Sequence, residues 1–330
     1  MPEMFFVVAL IIIALIFDFI NGFHDAANAI ATVVATRVLS PVGAIAIAAF
    51  FNFAGAFVFS VAVATTIGKG IIIPSAVTLH LILAALIGGI VWNLITWRWG
   101  LPSSSSHALI GGLIGAAAVS AGLGAIQFSG IYTIILFIVF APLLGMAGAI
   151  VFSGYIMRFF RKNDPKRVNV YFRRLQLISS SMYSLGHGTN DAQKTMGIIA
   201  IILLTGGVTT QFEVPLWVIL SCHAAIALGT LAGGWRIVKT MGTKITKLRP
   251  VDGFSAETSS SVVLFSTASA GIPVSTTHVI SGSIMGVGAV KGVGKVRWPL
   301  ARKIMWAWIL TIPMAALIAG VSYLGIGLFV

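Results

Sequence analysis

Two short motifs, each present twice, hold the residue types best able to do chemistry in this chain. Gly22-Phe23-His24-Asp25-Ala26-Ala27-Asn28 recurs as Gly188-Thr189-Asn190-Asp191-Ala192-Gln193-Lys194, and Pro102-Ser103-Ser104-Ser105-Ser106-His107 recurs as Pro273-Val274-Ser275-Thr276-Thr277-His278. Proline suits the first turn of a helix and cannot continue one from before, so each Pro-Ser motif reads as a helix start within or near an apolar layer. Ser103 to Ser106, and Ser275 to Thr277, then occupy the cap and first turn, adding hydroxyls to free backbone N–H groups. Such a helix end aims unpaired donors and partial positive charge at one point, which suits an oxyanion. A single copy would only cap a kinked helix. Two copies in opposite halves offer two ends that can face one another.

Asp25 and Asp191 have no polar loop beside them. Carboxylates in apolar spans are costly, face inward and mark function. Beside an anion they repel it, by about 4 kcal/mol per unit-charge pair at 4 Å and an effective dielectric near 20. Bound sodium ions, or protons on the carboxylates, remove that repulsion, so anion and cation bind together. Hard cations take oxygen ligands, here carboxylates, amide oxygens and unwound backbone carbonyls. The plainer alternative pairs each carboxylate with Lys194 or a histidine. Glu257, ahead of a run of hydroxyls, is a further candidate, with Asp18 and Asn52 weaker ones. His107 and His278 read as hydrogen-bonding residues that hold the hairpins. His24 and His187 flank the Asp motifs and could tune them, and the side to which Lys194 points stays open. His80, His223 and the lone Cys222 read as structural, and the glycine-rich runs as helix-packing surfaces.

The elements that must position these groups are membrane spans. Of the 330 residues 58% are hydrophobic and 9% charged, against about 25% charged in a soluble domain, so an ordinary water-facing surface is excluded. Apolar segments fall at 4–36, 42–66, 77–97, 102–125, 130–157, 176–206, 214–238, 254–271, 273–290 and 304–328. A span needs about 20 residues. The first segment of each half exceeds that and is predicted to hold an extra broken piece, for 10–12 helical elements in all. The N-terminal stretch carries Glu3 where a secretory signal would be basic, and reads as a retained span. When the segments alternate across the bilayer, every basic residue except Lys69 and Lys194 falls on one side. Cytoplasmic loops are enriched in Lys and Arg, which predicts external termini. Each half has an odd number of crossings, so the halves are inverted. Residues 1–157 form the first repeat, 158–175 a basic cytoplasmic loop and 176–330 the second repeat. The copies are offset by 166 residues at the Asp motifs and 171 at the Pro-Ser motifs. Inverted repeats with Gly/Pro-interrupted segments at matching places point to a secondary transporter with its site at the repeat interface.

In these paired motifs, present in order along the whole chain, the sequence resembles the PiT family of inorganic phosphate transporters. The resemblance implies an all-α membrane protein that imports phosphate by alternating access with sodium or protons, and not an enzyme. Carried over position by position, it makes Asp25, Asn28, Ser105, Ser106, Asn190, Asp191, Thr276 and Thr277 the phosphate-binding residues. Asp25, Asp191, Asn190, Ser104, Ser275 and Glu257 are the expected sodium ligands. His24 departs from the Asn common in relatives. The partners implied are phosphate, sodium or protons and the lipid bilayer of the inner membrane. No nucleic acid and no cofactor beyond the coupling ions is expected, and a homodimer is left open. Hydrogen phosphate can donate its O–H to a carboxylate and sulfate cannot, which favours phosphate over a sulfate permease of the same architecture. A proton or metal–phosphate symporter, a membrane phosphohydrolase using His107 and His278, and an anion channel are the other readings.

Overall fold

The computed structural model describes residues 2–58 and 61–328, and among these the only β pairing is an isolated bridge between Ile72 and Ile126. The side chains of Pro2 and Glu3, Glu3 being part of the reading of the first span, lie outside the described residues, as do the chain ends at 1 and 329–330. Among the described residues twelve α-helices follow one another: α1 Pro2–Ala35, α2 Pro41–Ala54, α3 Ala62–Lys69, α4 Leu79–Trp99, α5 Ser105–Ser120, α6 Phe128–Phe159, α7 Pro165–Thr205, α8 Leu216–Ala232, α9 Trp235–Lys239, α10 Pro250–Ser269, α11 Thr276–Val290 and α12 Trp298–Ile326. Four of them, α1, α4, α6 and α12, are long and apolar enough to cross a membrane, and six spans result if the bent pairs α2–α3 and α8–α9 count as one each.

The chain is an all-α membrane protein of two six-helix repeats. α4 and α10 start 171 residues apart, and the prolines inside α6 and α12, Pro142 and Pro313, keep the same offset. The repeats interlock. α5 packs on α12 while α11 packs on α6, and α1 packs on α8 while α2 packs on α7. Glycines make these approaches possible. A Cβ on Gly111 of α5 would collide with the carbonyl of Ile312, and one on Gly282 of α11 with the carbonyl of Pro142.

Three sequence expectations are corrected here. The first segment of each half is not broken: α1 runs 34 residues and α7 41 residues straight through the Asp motifs. Neither motif contains a proline, and its glycine serves packing, Gly22 against the backbone of Ile226 and Gly188 against that of Asn52. The breaks come in the next segment, at 81° between α2 and α3 and 64° between α8 and α9, the latter at Gly233 with φ +69°. Secondly, Pro102 and Pro273 precede the helices instead of sitting in their first turns, and Ser104 and Ser275 are the N-caps. The extended carbonyls ahead of the caps are engaged from elsewhere, that of Pro102 by Trp308 and that of Val274 by Lys194. Thirdly, most of the basic stretch 158–175 is helix, because Asp164 caps α7 and Pro165 opens it.

α5 and α11, of 16 and 15 residues, rise only about 24 Å at 1.5 Å per residue, short of a 30 Å hydrocarbon core. Each begins after a left-handed glycine, Gly100 or Gly271. The basic groups gather at one end of the molecule, where Arg173 donates to the carbonyl of Arg37, Arg236 to that of Arg98, and Lys291 to that of Lys247. At the other end Lys69 lies over the Phe212 ring, and Val7 of α1 packs near Gly206.

Candidate functional site

The two short helices end at each other. Ser104 Oγ accepts from the amide of His107 at 3.2 Å, and Ser275 Oγ accepts from that of His278 at 3.3 Å. The two histidine rings meet edge-on, 4.8 Å apart. This is where the unpaired N–H groups of α5 and α11 converge, and α1 and α7 cross directly beside it.

The Asp motifs supply the other wall. Asp25 Oδ1 lies 2.6 Å from His24 Nδ1, and its Oδ2 accepts from Thr277 Oγ1 at 3.3 Å. His24 Nε2 lies 3.0 Å from Thr96 Oγ1, so α4 fixes the ring. Asn28 Nδ2 donates to Thr277 Oγ1 at 2.8 Å and Thr276 Oγ1 at 3.4 Å. In the second copy, Thr276 Oγ1 donates to Asp191 Oδ2 at 3.0 Å, and His187 Nε2 lies 3.2 Å from the same oxygen. Lys194 Nζ donates to Asp191 Oδ1, to Ser106 Oγ and, at 2.8 Å, to the Val274 carbonyl. Asp25, His187 and Asp191 can each turn one ligand atom into a single cluster, all within 4.8 Å of one another. A cation fits between such groups, two of them carboxylates.

All eight phosphate candidates, and Ser104 and Ser275 with them, are no more than 5% exposed, so this conformation closes the site from both ends. Asn28 Oδ1, Asn190 Oδ1 and Ser105 Oγ are buried with no hydrogen-bond partner among the described residues. Unmet buried polar atoms favour a polar ligand, because each costs about 1–3 kcal/mol when left alone. Asn190 Nδ2 is spent on the carbonyls of Gly186 and Leu264. Glu257 stands apart. Its Oε1 accepts from Thr32 at 2.5 Å and Gln176 at 2.9 Å, and its Oε2 from Ser179 at 2.5 Å, in a second polar pocket among α1, α7 and α10.

The family profile described as "Phosphate transporter family" matches residues 21–319. A probable low-affinity inorganic phosphate transporter of Rhizobium meliloti (strain 1021) is 54% identical over 96% of this chain and 95% of its own length. One of the same description from Bacillus subtilis (strain 168) is 44% identical over 96% of each. The chain belongs to the phosphate transporter family. A solved structure, "The sodium-dependent phosphate transporter", superposes with a TM-score of 0.91 at 26% identity, covering 98% of this chain and 100% of that one. The relatives are transporters and permeases, so this family member is a carrier and not an enzyme.

Four residues in or beside the transporter's site have no firm assignment from sequence. His187 reads from sequence as a residue flanking the Asp motif and able to tune it, and in the structure its Nδ1 lies 3.3 Å from Asn52 Oδ1 while its Nε2 faces Asp191. Gln176 and Ser179 carried no signal, being single polar residues on a helix whose partner, Glu257, is far away in sequence. Lys194 could have been placed from the 166-residue offset, which sets it opposite Asn28.

Proposed function

We propose that this chain imports inorganic phosphate by alternating access, binding it between the N-termini of α5 and α11 together with cations held at Asp25 and Asp191. The observation that carries the reading is the convergence of two helix N-termini on two buried carboxylates at the repeat interface. The helix ends attract an oxyanion, and the carboxylates accept it only with counter-cations, so the two gradients couple. The relatives' described substrate, inorganic phosphate, agrees with this chemistry. Sodium is the coupling ion we propose, in line with the solved relative. The excess of basic groups at one end supports a cytoplasmic assignment for that end, with both termini outside, in an inner membrane. A second reading has a specific observation in its favour: His187 joins the cation cluster, and imidazole suits transition metals better than sodium, as in carriage of a metal–phosphate complex.

The test is uptake of labelled phosphate into proteoliposomes under a sodium gradient, a pH gradient, or added divalent metal. Sodium-driven uptake, flattened in Asp25→Asn, is expected. Uptake that ignores sodium and needs the divalent metal gives the second reading. No phosphate uptake under any gradient overturns both.

A further inference from the structure

Lys194 is almost wholly buried, 1% exposed, in the C-terminal half of α7. Its ammonium has three N–H donors, and each is taken by oxygen: Asp191 Oδ1, Ser106 Oγ and the Val274 carbonyl. A carboxylate, a hydroxyl and an extended-chain carbonyl around one positive centre form the ligand set of a hard cation. No donor is left over for an anion, so the ammonium is not a phosphate ligand in this conformation.

The repeat identifies what stands in the matching place. Lys194 corresponds to Asn28 by the 166-residue offset of the Asp motifs, and Ser106 to Thr277 by the 171-residue offset of the Pro-Ser motifs. The contact Lys194–Ser106 is therefore the second-repeat copy of Asn28–Thr277, which is made at 2.8 Å. In the first repeat the neutral amide donates one hydrogen bond to that hydroxyl and keeps Oδ1, unpartnered and buried, as an available oxygen ligand. In the second repeat the same place is filled by a fixed positive charge.

We propose that the Lys194 ammonium is a tethered cation: it occupies, on the Asp191 side, a position that would otherwise take an exchangeable metal ion, so this transporter binds one coupling cation fewer than its symmetric frame allows. Charge supports the assignment. A buried carboxylate needs a permanent or a transient partner, and Asp191 has a permanent one. The cation set that accompanies phosphate is then unequal between the repeats, with exchange confined to the ligands that Asp25, His187 and Oδ2 of Asp191, the oxygen not bound to Lys194, offer.

The inference rests on the cation-coupled reading above, and its test is separable from it. Sodium bound per chain is counted by equilibrium dialysis of radiolabelled sodium against purified wild type, Lys194→Asn, Lys194→Gln, and the exchange variant Asn28→Lys/Lys194→Asn. Either single variant that remains monodisperse and binds phosphate should hold one sodium more than wild type. The exchange variant, with one ammonium moved to the other repeat, should return to the wild-type count. A folded single variant with the wild-type count, or an exchange variant that keeps the extra sodium, overturns the proposal. Phosphate uptake by wild type, measured separately, judges the transport reading whatever the counts.

Discussion

The pocket around Glu257 and the place where the repeat would put its twin share a backbone and differ in every side chain. By the two offsets, Glu257, Thr32, Gln176 and Ser179 correspond to Leu86, Ile198, Leu10 and Ile13. The first set is a hydrogen-bonded cluster in which one carboxylate accepts from three side chains. The second lies in one apolar cluster that also holds Val7, Ile71 and Ile72. An inverted repeat lets one fold adopt two states related by the pseudo-two-fold axis between its halves, which requires backbone symmetry and nothing more. Chemistry is free to diverge, and here one copy is a hydrogen-bonded polar pocket and the other an apolar cluster. The sodium-ligand expectation for Glu257 therefore concerns a pocket separate from the Asp25–Asp191 cluster.

The largest effect should come from forcing the polar pocket to resemble its twin in part. Glu257→Leu leaves the Thr32, Gln176 and Ser179 donors buried and unpaired, each at about 1–3 kcal/mol, for a loss of at least about 3 kcal/mol of stability. Thermal unfolding in detergent should show a lowered midpoint. The complete graft Glu257→Leu, Thr32→Ile, Gln176→Leu, Ser179→Ile removes the donors too and should recover most of that stability while abolishing uptake. A graft that still transports at the wild-type rate would mean the asymmetry has no role in the cycle.

A smaller effect tests the place where the halves converge. Ser106 and Thr277 are equivalent hydroxyls at the two helix ends. If both reach phosphate in the bound state, replacing each with alanine should weaken phosphate binding by about 1.5–3 kcal/mol, the worth of a hydrogen bond to a charged group. Ser106→Ala should also loosen Lys194, and Thr277→Ala should loosen Asn28 and Asp25, so the two should cost about the same. Equilibrium phosphate binding to the purified variants measures both. A double variant with wild-type affinity would reduce these hydroxyls to local hydrogen bonds.

The architecture was legible from residues because repetition is visible without coordinates. The paired motifs, their offsets and the placement of basic residues gave an all-α inverted repeat, and α5 and α11 start within a few residues of the expected places. Where the break falls in each half was not legible. An apolar segment longer than one span reads as interrupted, yet α1 and α7 run unbroken, with Gly22 and Gly188 pressed against neighbouring backbones. Glu257 could be named as buried and polar, but its partners lie on α1 and α7, and only the fold brings them together. Lys194 shows the reverse failing: the offset alone pairs it with Asn28, whereas its three acceptors had to be seen before that pairing acquired a chemical meaning.

The smallest effect should be found where the two repeats agree. Ser104 and Ser275 perform one task in one geometry, each accepting from the backbone amide three residues ahead, at 3.2 and 3.3 Å. Both are buried, both follow an extended segment, and both open a helix too short to cross the bilayer. Loss of an N-cap hydroxyl costs about 0.5–2 kcal/mol, so Ser104→Ala and Ser275→Ala should each lower stability by about 1 kcal/mol. The comparison sharpens in the difference between them, which should fall within about 0.5 kcal/mol if each oxygen serves only as a cap. Should one of them also ligate a coupling cation, as the sequence leads one to expect of both, its variant would lose stabilisation by sodium that the other keeps. Melting curves of the two variants, with sodium and with choline in its place, separate these outcomes. Equal losses in both salts mark the caps as structural, and a sodium-dependent gap between them assigns a ligand to one repeat alone.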